Sequence, residues 1–458
     1  MMTPLTMKPT QLAGPAALPI SNPQIGGPMR PRPNRNLPTT LLMKLRFAPG
    51  LLTIAAVLLA GTSQAANWPQ FRGPTADGRA VGGDLPLKWS EQENIRWKTR
   101  IHDFGHSSPV VWGEQVWVTT ASEDGNRLFA VCCDRATGRI VHDVQVFEVA
   151  KPENINSLNT YATPTAVIEE SRIYVHFGTY GTACLDTASG QKLWERTDLH
   201  CTHIQGPASS PILVGKLLIL DFAGGDTQFL VALDKTTGKT VWLRQRSEDL
   251  SGLGSPLLRK GHCTPILVDV AGRPQLFSPA SHAAYAYDPA TGEELWKVLH
   301  HGDSVVSRPL FAHGLVLFST GFSQEEIWAV RPDGHGDVTQ TQVTWKFTDG
   351  APRKTSPVLL GNALYLLQDD GKMTCLDAPT GKVVWQQRLA GQFAASPVTS
   401  AERIYCFDQR GKTTVLAAGP VAEPLAVNQL DEGCFASPAA VDGALYLRGK
   451  AHLYRIGN

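Results

Sequence analysis

The chain has 458 residues, a charged fraction of only 18% and a formal net charge of +1 at pH 7. A hydrophobic content of 42% is enough for a large core and excludes wholesale disorder, while 42 Gly and 32 Pro favour turns over long helices. Residues 1–65 contain six Lys and Arg and no Asp or Glu, so the remainder holds 36 basic and 41 acidic side chains, a net charge near −5. This mildly acidic remainder disfavours electrostatically driven binding of nucleic acid.

The first 42 residues show no sign of a folded domain. They contain nine prolines, no carboxylate and no periodic apolar pattern. Residues 1–42 are therefore interpreted as disordered or as a mis-assigned start, with Met43 as the alternative start.

The segment after Met43 has the features of a secretory signal. Lys44 and Arg46 precede a short apolar run over 51–60, and Ser63 and Ala65 place small residues where signal peptidase requires them. The apolar run is too short to span a bilayer, which needs about 20 residues. The sequence predicts a signal peptide over 43–65, a leader segment over 66–89, and an exported protein that is soluble in the periplasm or outside the cell.

A repeat organises the chain beyond the leader. Its motif places Gly four residues after an Asp and Trp eight residues after the same Asp. Complete copies occur at Asp186, Gly190 and Trp194; Asp234, Gly238 and Trp242; Asp288, Gly292 and Trp296; and Asp377, Gly381 and Trp385. Each copy predicts a strand, a tight turn and a second strand, because Asp can bond the turn amides and Gly supplies a positive φ.

Two further copies of the motif are incomplete. The copy at 134–138 has His142 in the position of the Trp, and another has an insertion over 331–344 before Trp345.

A proline marker counts the repeat units independently. Of the eight marker prolines, seven follow Ser or Thr, and Pro309 follows Arg308. The eight markers are Pro109, Pro164, Pro211, Pro265, Pro309, Pro357, Pro397 and Pro438. Four short apolar stretches separate successive markers, for example 212–214, 217–221, 228–233 and 240–244. Eight such units predict an all-β, eight-bladed β-propeller over 90–458.

The last unit supplies only three strands. The segment 94–99, which contains Trp97, has the pattern of an outermost strand but has no unit before it. We expect this N-terminal strand to complete the last blade and close the ring, which would remove exposed strand edges.

The Asp, Gly and Trp motif resembles the tryptophan-docking repeat of pyrroloquinoline-quinone-type propellers. That family includes quinoprotein alcohol dehydrogenases and the non-enzymatic outer-membrane assembly factor BamB. The segment 68–74 is also similar to the one that precedes the propeller in secreted bacterial relatives. The resemblance implies that the repeat tryptophans pack between neighbouring blades; these are Trp97, Trp194, Trp242, Trp296, Trp345 and Trp385.

The resemblance leaves two functions open. Quinoprotein dehydrogenases need a calcium-type ion, an aspartate base and a flat slot for the quinone, and they are longer, with large insertions. This chain has short blades, no acidic cluster before its prolines, and a Cys132–Cys133 pair at a strand position typical of the core. We therefore expect no cofactor, with pyrroloquinoline quinone and calcium as the alternative.

The remaining cysteines leave one bridge open. Cys132, Cys184 and Cys375 occupy one repeat position in different blades and cannot meet. Cys201 and Cys263 lead into adjacent blades, so a bridge between them stays open, as does the state of Cys434.

The least ordinary side chains precede the prolines, where loops should open onto one mouth of the channel. Three residues before a proline stand His106, Tyr161, His262 and Lys354, and Arg308 directly precedes Pro309. These residues form a candidate site for a small anion, a glycan or a peptide, although polar side chains also line any wet channel. No two of these histidines have the spacing of metal ligands, so no metal site is predicted.

The sequence favours a secreted, non-catalytic binding or scaffold module of the bacterial cell envelope. We expect a monomer whose partner is an envelope protein, a peptide or a glycan. The alternative is a quinone- and calcium-dependent oxidoreductase acting on alcohols or sugars.

Overall fold

The computed structural model describes residues 66–458, which form eight sheets, each with four antiparallel strands, and confirm the predicted eight-bladed β-propeller. These residues contain 33 strands, two short 3-10 turns at Gly178–Tyr180 and Pro256–Leu258, and no α-helix. None of the described helical segments is long and apolar enough to cross a membrane. The predicted signal peptide over 43–65 and the preceding 1–42 lie outside the described residues.

The first strand, β1 (Ile95–Arg100), belongs to the last blade, and blades 1 to 4 follow it along the chain. Blade 1 contains β2 (Val110–Trp112), β3 (Gln115–Ala121), β4 (Arg127–Asp134) and β5 (Ile140–Glu148). Blade 2 contains β6 (Val167–Glu169), β7 (Arg172–His176), β8 (Thr182–Asp186) and β9 (Lys192–Arg196). Blade 3 contains β10 (Ile212–Val214), β11 (Leu217–Ala223), β12 (Gln228–Asp234) and β13 (Thr240–Gln245). Blade 4 contains β14 (Ile266–Val270), β15 (Arg273–Pro279), β16 (Ala283–Tyr287) and β17 (Glu294–Leu299).

Blades 5 to 8 complete the propeller. Blade 5 contains β18 (Leu310–Ala312), β19 (Leu315–Ser319), β20 (Ile327–Val330) and β22 (Val343–Phe347), while β21 (Gly336–Asp337) pairs in parallel with β17 of blade 4. Blade 6 contains β23 (Val358–Leu360), β24 (Ala363–Leu367), β25 (Lys372–Asp377) and β26 (Lys382–Arg388). Blade 7 contains β27 (Val398–Ser400), β28 (Arg403–Phe407), β29 (Lys412–Ala417) and β30 (Pro424–Gln429). Blade 8 contains β31 (Ala439–Val441), β32 (Ala444–Arg448) and β33 (His452–Gly457), followed by β1.

The outer strand of blade 8 comes from the start of the propeller. β1 pairs antiparallel with β33, with Trp97 opposite Arg455 and Arg100 opposite His452. The first and last strands of the propeller therefore lie in one sheet, and the edge of β33 is covered.

Packing between blades explains the burial of the middle strands. In β11 every residue after Leu217 is buried, whereas in the outer strand β13 only Trp242 is buried. A middle strand has a neighbouring blade on each face, so both faces are apolar, while an outer strand turns one face to solvent. The core is accordingly a series of apolar clusters between adjacent blades.

The repeat motif is the contact that joins adjacent blades. Trp194 of blade 2 donates from Nε1 to the carbonyl oxygen of Lys235 in blade 3 at 3.0 Å, and its indole lies over Gly238. Gly238 has φ +70, and Asp234 accepts the backbone N–H of Thr237 at 2.9 Å within the same turn. Four other tryptophans donate from Nε1 to the equivalent carbonyl oxygen in the turn of the next blade. These pairs are Trp97 to Arg135, Trp242 to Pro289, Trp345 to Ala378 and Trp385 to Gly419.

Three blades vary this contact, and in blade 7 the position of the Trp is held by Ala426, opposite Val415. His142 takes the place of Trp in blade 1: its Nε2 lies 3.1 Å from the carbonyl oxygen of Thr187, and its ring stacks on Trp117 with centroids 5.4 Å apart. Trp296 instead donates to Oε1 of Gln275 at 2.8 Å. The reason is the predicted insertion over 331–344, which replaces the short turn in blade 5 and packs Val338 against the Trp296 cluster.

All eight cysteines are buried free thiols. The bridge between Cys201 and Cys263 that the sequence left open is absent, and Cys434 is also unbridged. Cys132 and Cys133 lie side by side in β4 and face opposite ways, so they pack into two different apolar clusters. A domain with this much apolar core does not depend on disulfides.

Candidate functional site

The residues before the marker prolines form a hydrogen-bonded ladder around the channel. In each step, a backbone N–H of one blade donates to a hydroxyl of the next, at 2.9 to 3.0 Å. The six donor and acceptor pairs are Ser108 to Thr165, Thr165 to Ser210, Ser210 to Thr264, Arg308 to Ser356, Ser356 to Ser396 and Ser396 to Ser437. Small hydroxyl residues suit these positions because they replace the strand partner that an innermost strand lacks.

The ladder changes the register that the sequence suggested for blade 2. Thr165, which follows Pro164, occupies the ladder position, and Thr163 lies two residues before it. Counting from the proline therefore selected Tyr161, which lies off the channel. Its hydroxyl donates to the carbonyl oxygen of Glu153 at 2.7 Å, and its ring packs on Tyr180 with centroids 5.7 Å apart.

A cavity of about 410 Å³ lies at this end of the channel. Each blade contributes to the cavity wall the residue that lies two positions before its ladder residue. These eight residues are His106, Thr163, Ala208, His262, Val306, Lys354, Ala394 and Phe435. The structure thus brings together His106, His262 and Lys354 of the predicted site residues. Gln205 also lines the cavity, whereas His203 lies behind it, where its Nε2 accepts the backbone N–H of Thr179 at 3.0 Å.

The leader over 66–89 lies across the other side of the channel. Trp68 pairs with Val111 of blade 1, and Arg79 and Val81 bridge to blades 7 and 8. Between these attachments, Phe71 reaches the cavity and forms part of its wall.

Two buried arginines hold the leader in the channel. Arg72, only 2% exposed, donates to the carbonyl oxygens of Pro357 at 3.1 Å and Pro397 at 2.5 Å. Arg308, also 2% exposed, donates to the carbonyl oxygens of Phe71 and of Pro265, the latter at 3.1 Å. Burial lowers the pKa of Arg72 to about 10, and burial together with Arg72 lowers the pKa of Arg308 to about 9.

The position of Arg308 differs from the expected one. It lies beneath the cavity and binds the leader, so it does not line the mouth. Sequence reasoning identified Arg308 but missed Arg72, although the segment 68–74 containing it had already been singled out as a leader. Its location in the channel depends on contacts with residues some 285 to 325 positions away.

The charged groups of the cavity wall are largely paired. Lys260 donates from Nζ to Oγ of Ser304 at 2.5 Å, and burial lowers its pKa although Asp303 opposes that shift. Nζ of Lys354 lies 2.9 Å from Oδ2 of Asp369. Asp303 accepts hydrogen bonds from Ser304 and Ser323, so both of its oxygens are occupied.

The two cavity histidines are neutral at physiological pH. Burial, helped by Arg448, lowers the pKa of His106 to about 4, and its ring stacks on Phe435 at 4.7 Å. Burial, helped by Lys260 and His203, lowers the pKa of His262 to about 3. Nδ1 of His262 is buried without a protein hydrogen-bond partner.

These residues do not fit a calcium-bound quinone. A calcium ion takes six to eight oxygen ligands, yet the cavity wall offers one carboxylate, Asp303, which two serines already engage. Within residues 66–458, no group of three His, Cys, Asp or Glu is placed to hold a metal ion. Cys132 and Cys133 lie between blades in β4 and are not part of the cavity wall.

Eight four-stranded blades joined by tryptophan docking define a pyrroloquinoline-quinone-type propeller. A family model described as outer membrane protein assembly factor BamB matches residues 82–198, 228–335 and 281–419. The chain therefore belongs to this family.

Individual relatives are distant. The chain is 25% identical over 217 residues to the outer membrane protein assembly factor BamB of Legionella pneumophila, which covers 46% of this chain and 50% of that protein. It is 26% identical over 217 residues to a 1-butanol dehydrogenase (quinone) of Thauera butanivorans, which covers 43% of this chain and 33% of that enzyme. These matches span half or less of the length of either relative.

A solved structure shares the fold. The crystal structure of BamB from Moraxella catarrhalis superposes with a TM-score of 0.56 at 14% identity, covering 79% of this chain and 97% of that one. At this identity the likeness concerns the fold alone.

Proposed function

We propose that this protein is an exported, non-catalytic binding or scaffold module of the bacterial cell envelope, acting as a monomer. Membership in the BamB family supports an envelope role. The partner we propose is an envelope protein that places a peptide or glycan group in the cavity.

The proposal rests mainly on the form of the cavity. The leader lies across one side of the channel, and its Phe71 forms part of the cavity wall. This wall combines aromatic rings of Phe71 and Phe435 with hydroxyl and amide groups, a mixture that suits peptides and sugars. At the rim, Leu158 is 56% exposed and Leu257 is 45% exposed, which offers an apolar contact beside a polar interior.

The chemistry of the wall also favours binding over catalysis. General acid–base catalysis needs a group whose pKa lies near the working pH. The pKa values of His106 and His262 are several units lower, and Asp303 is bound by two serines. No nucleophile lies within a hydrogen bond of either histidine among the contacts of residues 66–458.

Site-specific photocrosslinking tests this function. A photoreactive side chain at Leu257, on the rim, is compared with one at Leu243, on the outer strand of blade 3, since the two are 45% and 44% exposed. In the native host we expect a defined crosslinked partner at Leu257 only. Equal crosslinking at both positions, or none at Leu257, would contradict a binding role for the cavity.

The alternative function is a quinone- and calcium-dependent oxidoreductase. The sequence match to a 1-butanol dehydrogenase (quinone) favours it. The cavity wall has a single carboxylate, Asp303, which two serines engage, and this disfavours a calcium site. Direct assays with the cofactor separate the two functions.

A further inference from the structure

Ala66, the first described residue, lies where blade 1 meets blade 8. Its backbone nitrogen donates to Oδ2 of Asp442 at 2.9 Å, and its carbonyl oxygen accepts from Nη1 of Arg135 at 3.3 Å. Asp442 is in the turn between β31 and β32 of blade 8, and Arg135 follows β4 of blade 1. One residue of the leader therefore contacts both sides of this junction.

The two side chains that hold Ala66 are themselves fixed. Nη2 of Arg135 lies 2.8 Å from Oδ2 of Asp442, and the Arg135 side chain is only 7% exposed. Arg135 also donates from Nε to the hydroxyl of Tyr446 at 3.0 Å and from Nη1 to the carbonyl oxygen of Gly113 at 3.1 Å. The backbone N–H of Asp442 donates to the carbonyl oxygen of Val81, which ties its turn to the leader as well.

The sequence places a cleavage signal directly before this residue. Ser63 and Ala65 have the small side chains that signal peptidase requires three residues and one residue before the cut. Hydrolysis of the peptide bond between Ala65 and Ala66 would use one water molecule. The hydroxyl would go to the carbonyl carbon of Ala65, and the nitrogen of Ala66 would leave as an amine that takes up a proton.

We propose that signal peptidase cuts between Ala65 and Ala66 and that the new α-ammonium group binds Asp442 at the junction of blades 1 and 8. This inference rests on the export that is part of the proposed function. The Asp442 carboxylate is thus a binding site for the mature N-terminus.

The charge balance favours this contact after cleavage. In the uncut chain, Ala66 offers Asp442 one N–H of a neutral amide, whereas the ammonium offers three N–H groups and a positive charge at the same distance. Hydrogen bonds between ionised partners are about twice as strong as neutral ones. Arg135 is the opposing charge, but it binds the carbonyl side of Ala66, while Asp442 directly faces the nitrogen.

Binding of the Ala66 ammonium to Asp442 would change the stability of the propeller when the signal peptide is removed. The chain connects blades 8 and 1 only through the segment that follows β1, and Asp442 and Arg135 add one ion pair between the two blades. Binding of the ammonium adds a second ionic contact to this junction, so the mature protein should be more stable than its precursor.

A double-mutant cycle measures the contact directly. Four proteins beginning at Ala66 are compared: a free or an acetylated α-amine, each with Asp442 or with Asp442→Asn. Acetylation keeps one N–H and removes the charge, as in the uncut chain. We expect the free amine to raise the Tm of the parent by about 2 °C, and this gain to vanish in both Asp442→Asn proteins. An equal effect of acetylation with and without Asp442 would overturn the inference.

Export is tested separately with the full chain in a Gram-negative host. A periplasmic protein whose intact mass begins at Ala66 supports the inference. A periplasmic protein that begins elsewhere overturns the inference alone, while a chain that stays uncut in the cytoplasm overturns both the inference and the proposed export.

Discussion

The indole of Trp194 lies so close to Gly238 that a Cβ atom on this glycine would be 2.7 Å from the ring. The contact fixes the third-to-fourth-strand turn of blade 3 against the outer strand of blade 2. Gly238 must be glycine for two reasons, its φ of +70 and the absence of space for a side chain.

Gly238→Ala should lower the free energy of unfolding by about 2–4 kcal/mol. A left-handed backbone costs an alanine about 1 kcal/mol, and overpacking against the indole adds about 1–3 kcal/mol. The matched control is Gly215→Ala, because Gly215 has φ +58 but has nothing within 4 Å of its Cβ position. Chemical denaturation should show only about 1 kcal/mol for the control, and equal losses would refute the role of the indole.

Arg72→Ala should loosen the leader. The substitution leaves the buried carbonyl oxygens of Pro357 and Pro397 without their donor, at a cost of about 1–3 kcal/mol for each unsatisfied group. Arg79→Ala is the control, since Arg79 lies in the same leader with an exposed side chain. Limited proteolysis should cut 66–89 much faster in Arg72→Ala than in Arg79→Ala, and similar rates would show that Arg72 does not anchor the leader.

Stability should fall as the pH drops below 6.5, because the unfolded chain takes up protons that buried histidines cannot. Burial lowers the pKa of His300 to about 3, from an ordinary value of 6.5. The stabilising effect of keeping His300 neutral is complete above pH 6.5 and is lost as the pH falls towards 3. The loss in the free energy of unfolding reaches about 2 kcal/mol at pH 5. His300→Leu should therefore lose less stability than the parent between pH 7.5 and pH 5 in denaturation curves.

His102 provides a control of opposite sign. Burial opposes the shift, but hydrogen bonds with Asp103 and Asp143 raise the pKa of His102 above its ordinary value. Its stabilising effect is present at low pH and disappears as the pH rises. His102→Leu should be more destabilising at pH 5 than at pH 7.5, and parallel pH profiles for both variants would contradict the assigned shifts.

Calorimetry should detect no tight binding of pyrroloquinoline quinone in the presence of calcium, and dye reduction should detect no alcohol or sugar oxidation. The physical reason is that the cavity wall has one carboxylate, Asp303, and that two serines already engage it. Micromolar binding together with turnover that stops when calcium is chelated would move the protein to the dehydrogenase class.

Much of the fold was predictable because its signals are local. The fixed distances from Asp234 to Gly238 and Trp242 specify a turn and a docking contact that recur in other blades. The predicted strands of blade 3 agree with the structure to within two residues at their ends. A repeat that returns about every 40 to 55 residues also fixes the number of blades, because each unit must bury its apolar faces against the next.

The candidate site was less predictable because its residues meet only through the ring. His106, His262 and Lys354 were found from their distance to a proline. The same rule chose Tyr161 in blade 2, where the ladder residue is shifted by two positions relative to the proline. That shift is set by the ladder hydrogen bonds between blades 1, 2 and 3, and it cannot be read from the sequence of blade 2 alone.

The sequence by itself determined an eight-bladed, all-β propeller with tryptophan docking, since turn geometry and periodic burial act within one or two units. Only the tertiary structure decided that Arg72 and Arg308 lock the leader into the channel, that Cys201 and Cys263 stay apart, and that Ala66 lies between Arg135 and Asp442. These contacts join residues from opposite ends of the chain or from different blades, and their partners are set by closure of the ring, which no local pattern encodes.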